Sequence, residues 1–451
     1  MRRSSVSSYY LTIFNFLKQP LIKSMIVVAS ISIFIKASGF YKETVIAASF
    51  GLSELLDTFL IAMLIPAFVQ NVFINALSNL FVPNYIAELK TTSQKKQFQS
   101  VIFLMVISLA LFLTVVCLLF STYFLEILYP NHTDSYYHLI RVQLYWILPC
   151  LTLWAFSSVL SSLLEVKGRF FYSSFSPIFG TIATIICLVF FKDSLREIVL
   201  AVGMLIGSIL SFFYQLIVCL LHNEIELGKP VLSENMRTMI RQMPPKVASG
   251  FLTGSNSFVD QFFAAQLAAG SLAALSYGAK IPAFAVGMLI LPLGRVLLPH
   301  FSRTINDDLL KAYHQLFRIL KWVAICTAVV AFIGICYSQD IVRVLFERKE
   351  FDSADTTIVA NIQKIGLIYI PFYLSTLICV KFLTAVNKNK FMAWTSFWNL
   401  GVNLVLNYVF VKYFGVYGLA FSTTIVYIIS SIIYVGFTYR QYSKLSNHVQ
   451  I

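Results

Sequence analysis

The chain of 451 residues is 58% hydrophobic and only 12% charged, and its mean hydropathy is +0.78. Soluble globular proteins are about 45–50% apolar and about 25% charged. The composition therefore excludes a water-soluble enzyme, and the shortage of polar residues excludes a disordered chain. It indicates a polytopic integral membrane protein whose net charge of +14 has to be explained by its loops.

Twelve apolar segments are each long enough to cross a membrane as a helix, which takes about 20 residues. They are residues 24–49, 57–85, 100–124, 137–164, 171–191, 197–221, 245–269, 276–300, 317–337, 357–385, 391–412 and 416–438. The sequence thus predicts an all-α polytopic membrane protein with about twelve transmembrane helices. We expect residues 1–23 to form a cytoplasmic, interfacial segment and residues 441–451 to form a cytoplasmic tail.

The basic residues fall mainly in the loops on one side of the predicted membrane. If the N-terminus is cytoplasmic, the cytoplasmic segments hold 21 of the 34 Lys and Arg residues, and the opposite loops hold six. Because cytoplasmic loops retain positive charge, both termini are predicted to be cytoplasmic. This bias accounts for most of the net charge, so we expect no nucleic acid as a partner.

Two halves of the chain share landmarks at a constant spacing. Residues 65–68 (IPAF) recur as residues 281–284, and the proline at 83 corresponds to the proline at 299, both at an offset of 216 residues. This repetition predicts a duplicated six-helix unit with a pseudo-two-fold axis along the membrane normal. The predicted parts are an N-lobe of residues 24–222, a cytoplasmic linker of residues 223–244 and a C-lobe of residues 245–440. Such lobes commonly enclose a cavity that opens to one side at a time.

Ionisable side chains inside the predicted spans are the main functional signal, because a charge in lipid is costly and faces a cavity or a partner. The candidate site residues are Lys36, Lys42, Glu43, Asp57, Asp260, Lys280 and Arg295, together with the polar residues Gln70, Asn71 and Asn75 of the second span. Arg141 and Lys381 lie near span ends, where a long side chain reaches the interface, and Arg295 could do the same. The excess of cations predicts a cavity that attracts an anionic ligand.

Asp260 leaves two roles open, either pairing with a nearby cation or binding a coupling ion. No spacing of Cys or His suggests a metal site, and no catalytic triad or glycine-rich phosphate loop is present. We therefore expect a protein that is not an enzyme, has no cofactor, and is coupled to Na⁺, H⁺ or the membrane potential.

The stretch from residue 36 to residue 90 resembles the start of the MurJ/MviN-type lipid II flippases. The similar residues are 38–43 (SGFYKE), 50–51 (FG), 57–59 (DTF), Pro66, 81–88 (FVPNYIAE), and in the eighth span 276–280 (SYGAK) and 297–299 (LLP). The resemblance implies the MOP (multidrug/oligosaccharidyl-lipid/polysaccharide) exporter superfamily, with two six-helix bundles, alternating access and export of a lipid-linked saccharide.

The chain departs from the family pattern at several charged positions. Lys36, Lys42 and Lys280 stand where the family has Arg, and Glu43 stands where it has Asp, so the charge is kept but the bidentate geometry of Arg is not. Gln70 stands where the family carries a further Arg. The lipid II flippases also have two helices beyond the twelfth, whereas this sequence ends shortly after its twelfth predicted span. Both lipid II and an O-antigen or capsule unit therefore remain open as the substrate.

The resemblance implies a flippase that moves undecaprenyl-diphosphate-linked saccharides from the inner to the outer leaflet of the bacterial cytoplasmic membrane. In that interpretation the three lysines bind the diphosphate, Glu43 and Asp57 orient the lysines, and the asparagines contact sugar hydroxyls. We expect a monomer surrounded by membrane lipids. The alternatives are a cation-coupled multidrug antiporter of the same superfamily, which would prefer an acidic cavity, and a non-transporting scaffold or lipid scramblase.

Overall fold

The computed structural model describes residues 20–91, 95–123, 125–130 and 132–449, which form helices and short connections. The long helices, numbered here in chain order, are α1 Pro20–Phe50, α2 Glu54–Thr91, α3 Lys95–Tyr123, α4 Asp134–Val166, α5 Phe170–Phe190, α6 Val199–Leu221, α7 Glu234–Ala264, α8 Ser271–Asp307, α9 Leu309–Cys336, α10 Ser353–Ala385, α11 Asn389–Phe414 and α12 Val416–Val449. The β structure of the described residues is one isolated bridge, between Arg348 and Phe351. Most of the predicted interfacial segment, residues 1–19, lies outside the described residues.

The described part of the chain contains nine helices that are long and apolar enough to cross a membrane. These are α2 to α6, α8 to α10, and α12, and each coincides with one of the predicted spans. The other three predicted spans coincide with α1, α7 and α11. The all-helical membrane fold is thus confirmed, whereas the number of twelve membrane helices stays a prediction.

The chain separates into two compact units. The first holds the described residues up to Ile46 together with Ile61–Phe251, and the second holds Ala47–Leu60 together with the chain from Leu252 onward. The prediction placed residues 47–60 in the N-lobe, but the structure groups them with the second unit. The reason is a set of buried backbone contacts made by Asp57, which are described below. The predicted lobe boundaries stay predictions.

Helices α5 and α6 of the first unit approach each other closely at small residues. A Cβ atom added to Gly207 would lie 2.5 Å from the Cα atom of Gly180, and one added to Gly203 would lie 3.0 Å from the Cα atom of Thr184. Small residues four apart allow this approach, as is common between helices in membranes. This contact keeps the backbones of α5 and α6 close together.

The predicted linker includes the first residues of α7, which pack against the end of α2. Glu88 is fully buried, and its carboxylate Oε2 accepts hydrogen bonds from Ser233 Oγ at 2.9 Å and Asn235 Nδ2 at 2.8 Å. Ser233 Oγ in turn accepts the backbone N–H of Met236 at 3.2 Å, as an N-cap does. The glutamate of the FVPNYIAE segment therefore anchors the start of α7.

The connection before α7 is fastened to α3 by side chains. Gln99 Nε2 donates to the carbonyl of Glu224 at 2.9 Å, and Gln99 Oε1 accepts the backbone N–H of Glu226 at 2.8 Å. The Glu226 carboxylate pairs with Lys95 and, at 3.8 Å, with Lys96. The hydrogen bond from Lys95 holds the pKa of Glu226 below its ordinary value. The connection is therefore an ordered part of the first unit.

Candidate functional site

A cavity of about 510 Å³ lies inside the first unit and contains three of the predicted site residues. Lys42 from α1 and Gln70 and Asn75 from α2 line it, together with side chains of α4, α5 and α6. Small hydroxyl side chains dominate its wall: Ser78, Ser157, Ser158, Ser161, Ser173, Ser176, Thr184, Ser208 and Ser211. We refer to this space as the serine cavity.

A π turn in α2 brings Gln70 and Asn75 to the same wall. Residues Gln70–Ile74 form the turn, and the backbone N–H of Asn75 donates to the carbonyl of Gln70. In a regular α-helix, residues five apart point in directions that differ by about 140°, because each residue turns the chain by about 100°. The wider π turn reduces this difference, and such turns occur often at functional sites.

The serines of the cavity were not predicted from the sequence. Ser157, Ser158 and Ser161 lie on α4 within the run SSVLSS, and serines four apart on an apolar helix are the signal that could have revealed them. The serines of α5 and α6 carry no such pattern. They join the site because the two helices pack against α4, which is a tertiary effect.

The charge at the serine cavity comes from α1. Among the described residues that line it, the ionisable one is Lys42. Its Nζ lies 3.3 Å from Glu43 Oε1, and the side chains are 27% and 20% exposed respectively. The pair partly neutralises the lysine when no ligand is present, and both side chains remain accessible enough to exchange partners.

The remaining predicted residues lie in several places. Lys36 is exposed on α1, and Asn71 is exposed on α2, where it accepts a hydrogen bond from Asn75 Nδ2 at 3.4 Å. Lys280 is partly buried on α8 in the second unit. The backbone of Arg295 lies in α8, but its side chain lies outside the described part of the chain. Their predicted contact with substrate stays a prediction.

Asp57 is 2% exposed and binds the beginning of α8. Its Oδ2 accepts the backbone N–H of Gly270 at 2.6 Å, and its Oδ1 accepts that of Ala273 at 2.7 Å. Gly270 is the N-cap residue of α8 and has no side chain to offer, so Asp57 supplies the cap from α2. The predicted role of orienting lysines stays a prediction, and the structural role was missed because the two residues are 213 positions apart.

Asp260 lies in a cluster of neutral polar side chains in the second unit. Its Oδ1 accepts from Asn403 Nδ2 at 3.0 Å and from Asn407 Nδ2 at 2.7 Å, and its Oδ2 accepts from Thr423 Oγ at 2.7 Å. Both asparagines are buried, and Asn407 Oδ1 has no hydrogen-bond partner among the described residues. The cluster presents carboxylate, amide and hydroxyl oxygens, which are the ligands that hard cations prefer.

Within the described residues, no group of three His, Cys, Asp or Glu side chains is arranged to hold a metal ion. The oxygen cluster around Asp260 differs from such a site, because its acidic residue is single and its other groups are neutral.

Comparison with known proteins identifies relatives over most of the chain. The family model "Lipid II flippase MurJ" matches residues 46–449. A protein of Buchnera aphidicola named "Probable lipid II flippase MurJ" is 25% identical over 420 residues, which cover 90% of this chain and 81% of that protein. A protein of Vibrio cholerae with the same name is 25% identical over 427 residues, which cover 90% of this chain and 80% of that protein.

Solved structures share the fold. A structure described as "Lipid II flippase MurJ, inward closed conformation" matches with a TM-score of 0.75 and 23% identity, over 92% of this chain and 87% of that chain. An inward-facing multidrug resistance MATE family transporter of the MOP superfamily also matches with a TM-score of 0.75, at 12% identity, over 94% of this chain and 99% of that chain. At these identities the likeness speaks for the fold alone.

The family model covers well over half of the chain, and the fold agrees with it. The segment of α1 and α2 that resembles this family in sequence also contains Lys42, Gln70 and Asn75 of the serine cavity, and Asp57, which caps α8. The chain belongs to the lipid II flippase MurJ family.

Proposed function

We propose that this protein is a transporter that moves an undecaprenyl-diphosphate-linked saccharide across the bacterial cytoplasmic membrane, from the inner to the outer leaflet. The observation that carries the proposal is the match of the MurJ family model to residues 46–449. The proteins named for lipid II flipping supply the chemistry of the substrate, which is a lipid-linked, anionic saccharide. The protein works as a monomer with both termini in the cytoplasm.

Lysines that contact the diphosphate during transport occur in each of the two sequence repeats. Lys42 lies on α1, and Lys280 lies on α8, with Lys36 and Arg295 as further candidates. A diphosphate entering a water-poor space needs opposite charges close by, because an unpaired buried charge is strongly disfavoured. The pair of Lys42 and Glu43 supports this role, since the carboxylate can release the lysine when an anion arrives.

Transport is coupled to a cation that binds at Asp260. The three described hydrogen-bond partners of the carboxylate are all neutral, so they do not balance its charge. A carboxylate in these neutral surroundings is stabilised when a proton or a monovalent cation balances its negative charge. The unpartnered Oδ1 atom of Asn407 supports binding of a metal cation, and Na⁺ and H⁺ are the candidates.

The multidrug antiporter remains the second candidate, because a MATE transporter shares the fold. The charge of the serine cavity favours the flippase. An organic cation would meet Lys42 there and no acidic side chain among the described lining residues. A cavity of that charge suits an anionic head group better.

The proposal is tested by replacing the flippase of a bacterium whose own lipid II flippase can be depleted. We expect the chain to restore growth and to restore the appearance of labelled lipid II in the outer leaflet of spheroplasts. A chain that is present in the membrane, but restores neither, would contradict the assignment to lipid II. Resistance to cationic drugs in the same strain, without growth rescue, would favour the antiporter.

A further inference from the structure

The serine cavity has the size of a ligand site and an unusual wall. Its volume of about 510 Å³ lies within the range of about 300–1,000 Å³ that small-molecule sites occupy. Such sites are mainly apolar with a few polar groups, whereas nine Ser and Thr residues contribute to this wall beside apolar residues such as Trp154 and Met204. Several of these hydroxyls already have partners: Ser208 Oγ accepts from Trp154 Nε1 at 3.0 Å, and Ser211 Oγ donates to the carbonyl of Ser176 at 3.0 Å.

Two buried polar atoms of the cavity residues have no partner. Ser157 Oγ and Gln215 Oε1 make no hydrogen bond with any described residue, and Gln215 is only 3% exposed. Buried polar groups in native proteins are nearly always paired, so an orphan group in a cavity wall calls for an external partner. Both atoms are buried in the wall, so a rotation of each side chain towards the cavity is needed before a ligand rich in hydroxyl and amide groups can satisfy them.

We propose that the serine cavity binds the uncharged saccharide part of the lipid-linked substrate, an assignment that rests on the proposed function. Lys42 lines the same cavity, so a diphosphate bound to this lysine would be followed directly by its sugars. The first unit therefore offers Lys42 to the charged part of the head group and the hydroxyl groups of the cavity to its neutral part.

The chemistry of the wall disfavours other occupants. A prenyl chain would leave Ser157 Oγ and Gln215 Oε1 without partners, which is unfavourable for buried polar groups. An organic cation would face Lys42 in the absence of acidic groups among the described lining residues. Sugars offer a hydroxyl or amide group at almost every carbon atom, and Trp154, whose N–H is held by Ser208, adds an aromatic surface to the wall.

The test compares two lipids on purified protein in nanodiscs. The probes are lipid II and undecaprenyl diphosphate, which lacks the saccharide, and the measurement is the dissociation constant by microscale thermophoresis. The wild type should bind lipid II more tightly. Ser157→Ala and Gln215→Leu should each weaken binding of lipid II by ~2- to 10-fold, the value of one or two hydrogen bonds, and leave binding of undecaprenyl diphosphate unchanged.

Matched controls exist in the second unit. Ser422 and Gln363 are fully buried, and their Ser Oγ and Gln Oε1 atoms are also without partners among the described residues. Ser422→Ala and Gln363→Leu therefore make the same chemical changes outside the serine cavity, and both should bind the two lipids as the wild type does. If the control variants lose lipid II binding to the same extent as the cavity variants, the assignment is wrong.

A filling variant gives a second, independent readout. A Cβ at Gly180, a cavity residue, would meet no atom within 4 Å, and the same holds for Gly401 on α11. Gly180→Leu should abolish the preference for lipid II, and Gly401→Leu should retain it. Equal affinities of Gly180→Leu and wild type for lipid II would overturn the inference. Saturable binding of free N-acetylglucosamine to the wild type, without any preference for lipid II, would assign the cavity to free sugars and also overturn it.

The failure of this inference is distinguishable from failure of the proposed function. Growth rescue in the depletion strain reports on the function. If the wild type rescues growth while the cavity variants bind lipid II normally, the flippase assignment stands and the saccharide site lies elsewhere.

Discussion

In the proposed function, single lysines on two helices supply the positive charge for an anionic substrate. Lys42 is partly exposed beside Glu43 on α1, and Lys280 is partly buried on α8. A lysine gives one compact charge rather than the planar fork of an arginine. At these positions the positive charge of the side chain is therefore the property to test, and the shape of the charged group is secondary.

Removal of either lysine should stop export. We predict that Lys42→Ala and Lys280→Ala each abolish rescue of the depletion strain at unchanged membrane abundance. A diphosphate left without its cation in a water-poor site is disfavoured by several kcal/mol. Arg at either position should retain activity, and Glu should be worse than Ala because it repels the substrate. Rescue is scored by growth, and abundance is scored by immunoblot.

Lys412 provides the control for these substitutions. Its Nζ donates to the hydroxyl of Tyr408 at 2.7 Å on the exposed end of α11. Lys412→Ala should rescue growth fully. Normal export by both Lys42→Ala and Lys280→Ala would refute the cationic site, and Lys42 would then serve only its ion pair with Glu43.

Asp260 should make transport sensitive to an ion gradient. In proteoliposomes, the wild type should respond to an imposed Na⁺ gradient or to an imposed pH gradient, and Asp260→Asn should respond to neither. The variant keeps the shape of the side chain but loses the negative charge that a coupling ion balances. Asp340→Asn, at an exposed acid paired with Arg343, is the control and should respond as the wild type does. A gradient response that survives in Asp260→Asn would exclude this coupling site.

At the scale of helices, two local features decide which side chains face the functional spaces. The π turn of α2 lets Gln70 and Asn75 share one wall of the serine cavity. The missing side chain at the N-cap of α8 is replaced by Asp57, which lies near the beginning of α2. Helices α2 and α8 are equivalent in the sequence repeat, and Asp57 binds Ala273, the residue that corresponds to it at the offset of 216.

The cap on α8 should contribute measurably to stability. We predict that Asp57→Asn lowers the stability of the purified protein by about 1–3 kcal/mol, because each Oδ atom accepts a separate backbone N–H and one of them becomes an NH₂ group. The measurement is the midpoint of thermal unfolding in detergent, followed by intrinsic fluorescence.

Asp352 offers a matched control for the cap. It is exposed, and its single atom Oδ1 accepts the backbone N–H groups of both Ala354 and Asp355. The amide oxygen in Asp352→Asn can keep both bonds, so the unfolding midpoint should barely change. If Asp57→Asn and Asp352→Asn lower the unfolding midpoint equally, the buried cap of α8 contributes no more to stability than an exposed cap.

At the scale of the whole molecule, the distribution of basic residues predicts how the chain lies in the membrane. Single cysteines in a cysteine-free background report this topology. Lys90→Cys, at the exposed end of α2, should react with an impermeant maleimide from the cytoplasmic side. Ser135→Cys, at the exposed start of α4, should react from the outside.

A third cysteine completes the topology test. Lys390→Cys at the exposed start of α11 should label from the same side as Lys90→Cys, because both lysines fall in predicted cytoplasmic segments. If the positions at 90 and 135 label from the same side, the predicted orientation of the entire chain is wrong.

Properties that are distributed along the chain could be read from the sequence. Membrane insertion, helical spans and the separation of basic from apolar segments follow from composition and spacing, because a lipid environment demands long, internally hydrogen-bonded helices. Nine predicted spans coincide with the apolar helices of the described residues. The resemblance to the family was also contained in local motifs of residues 36–90, and the family model, which matches residues 46–449, confirms the family.

The contacts that define the candidate sites were decided only by the tertiary structure. The serine cavity combines residues from α1, α2, α4, α5 and α6. Asp57 finds its partners 213 and 216 residues away, and Asp260 finds Asn403, Asn407 and Thr423 at separations of 143, 147 and 163 residues. An unpaired polar group inside a membrane helix must find a partner somewhere, but only the packing of the helices determines which distant group lies within hydrogen-bond distance.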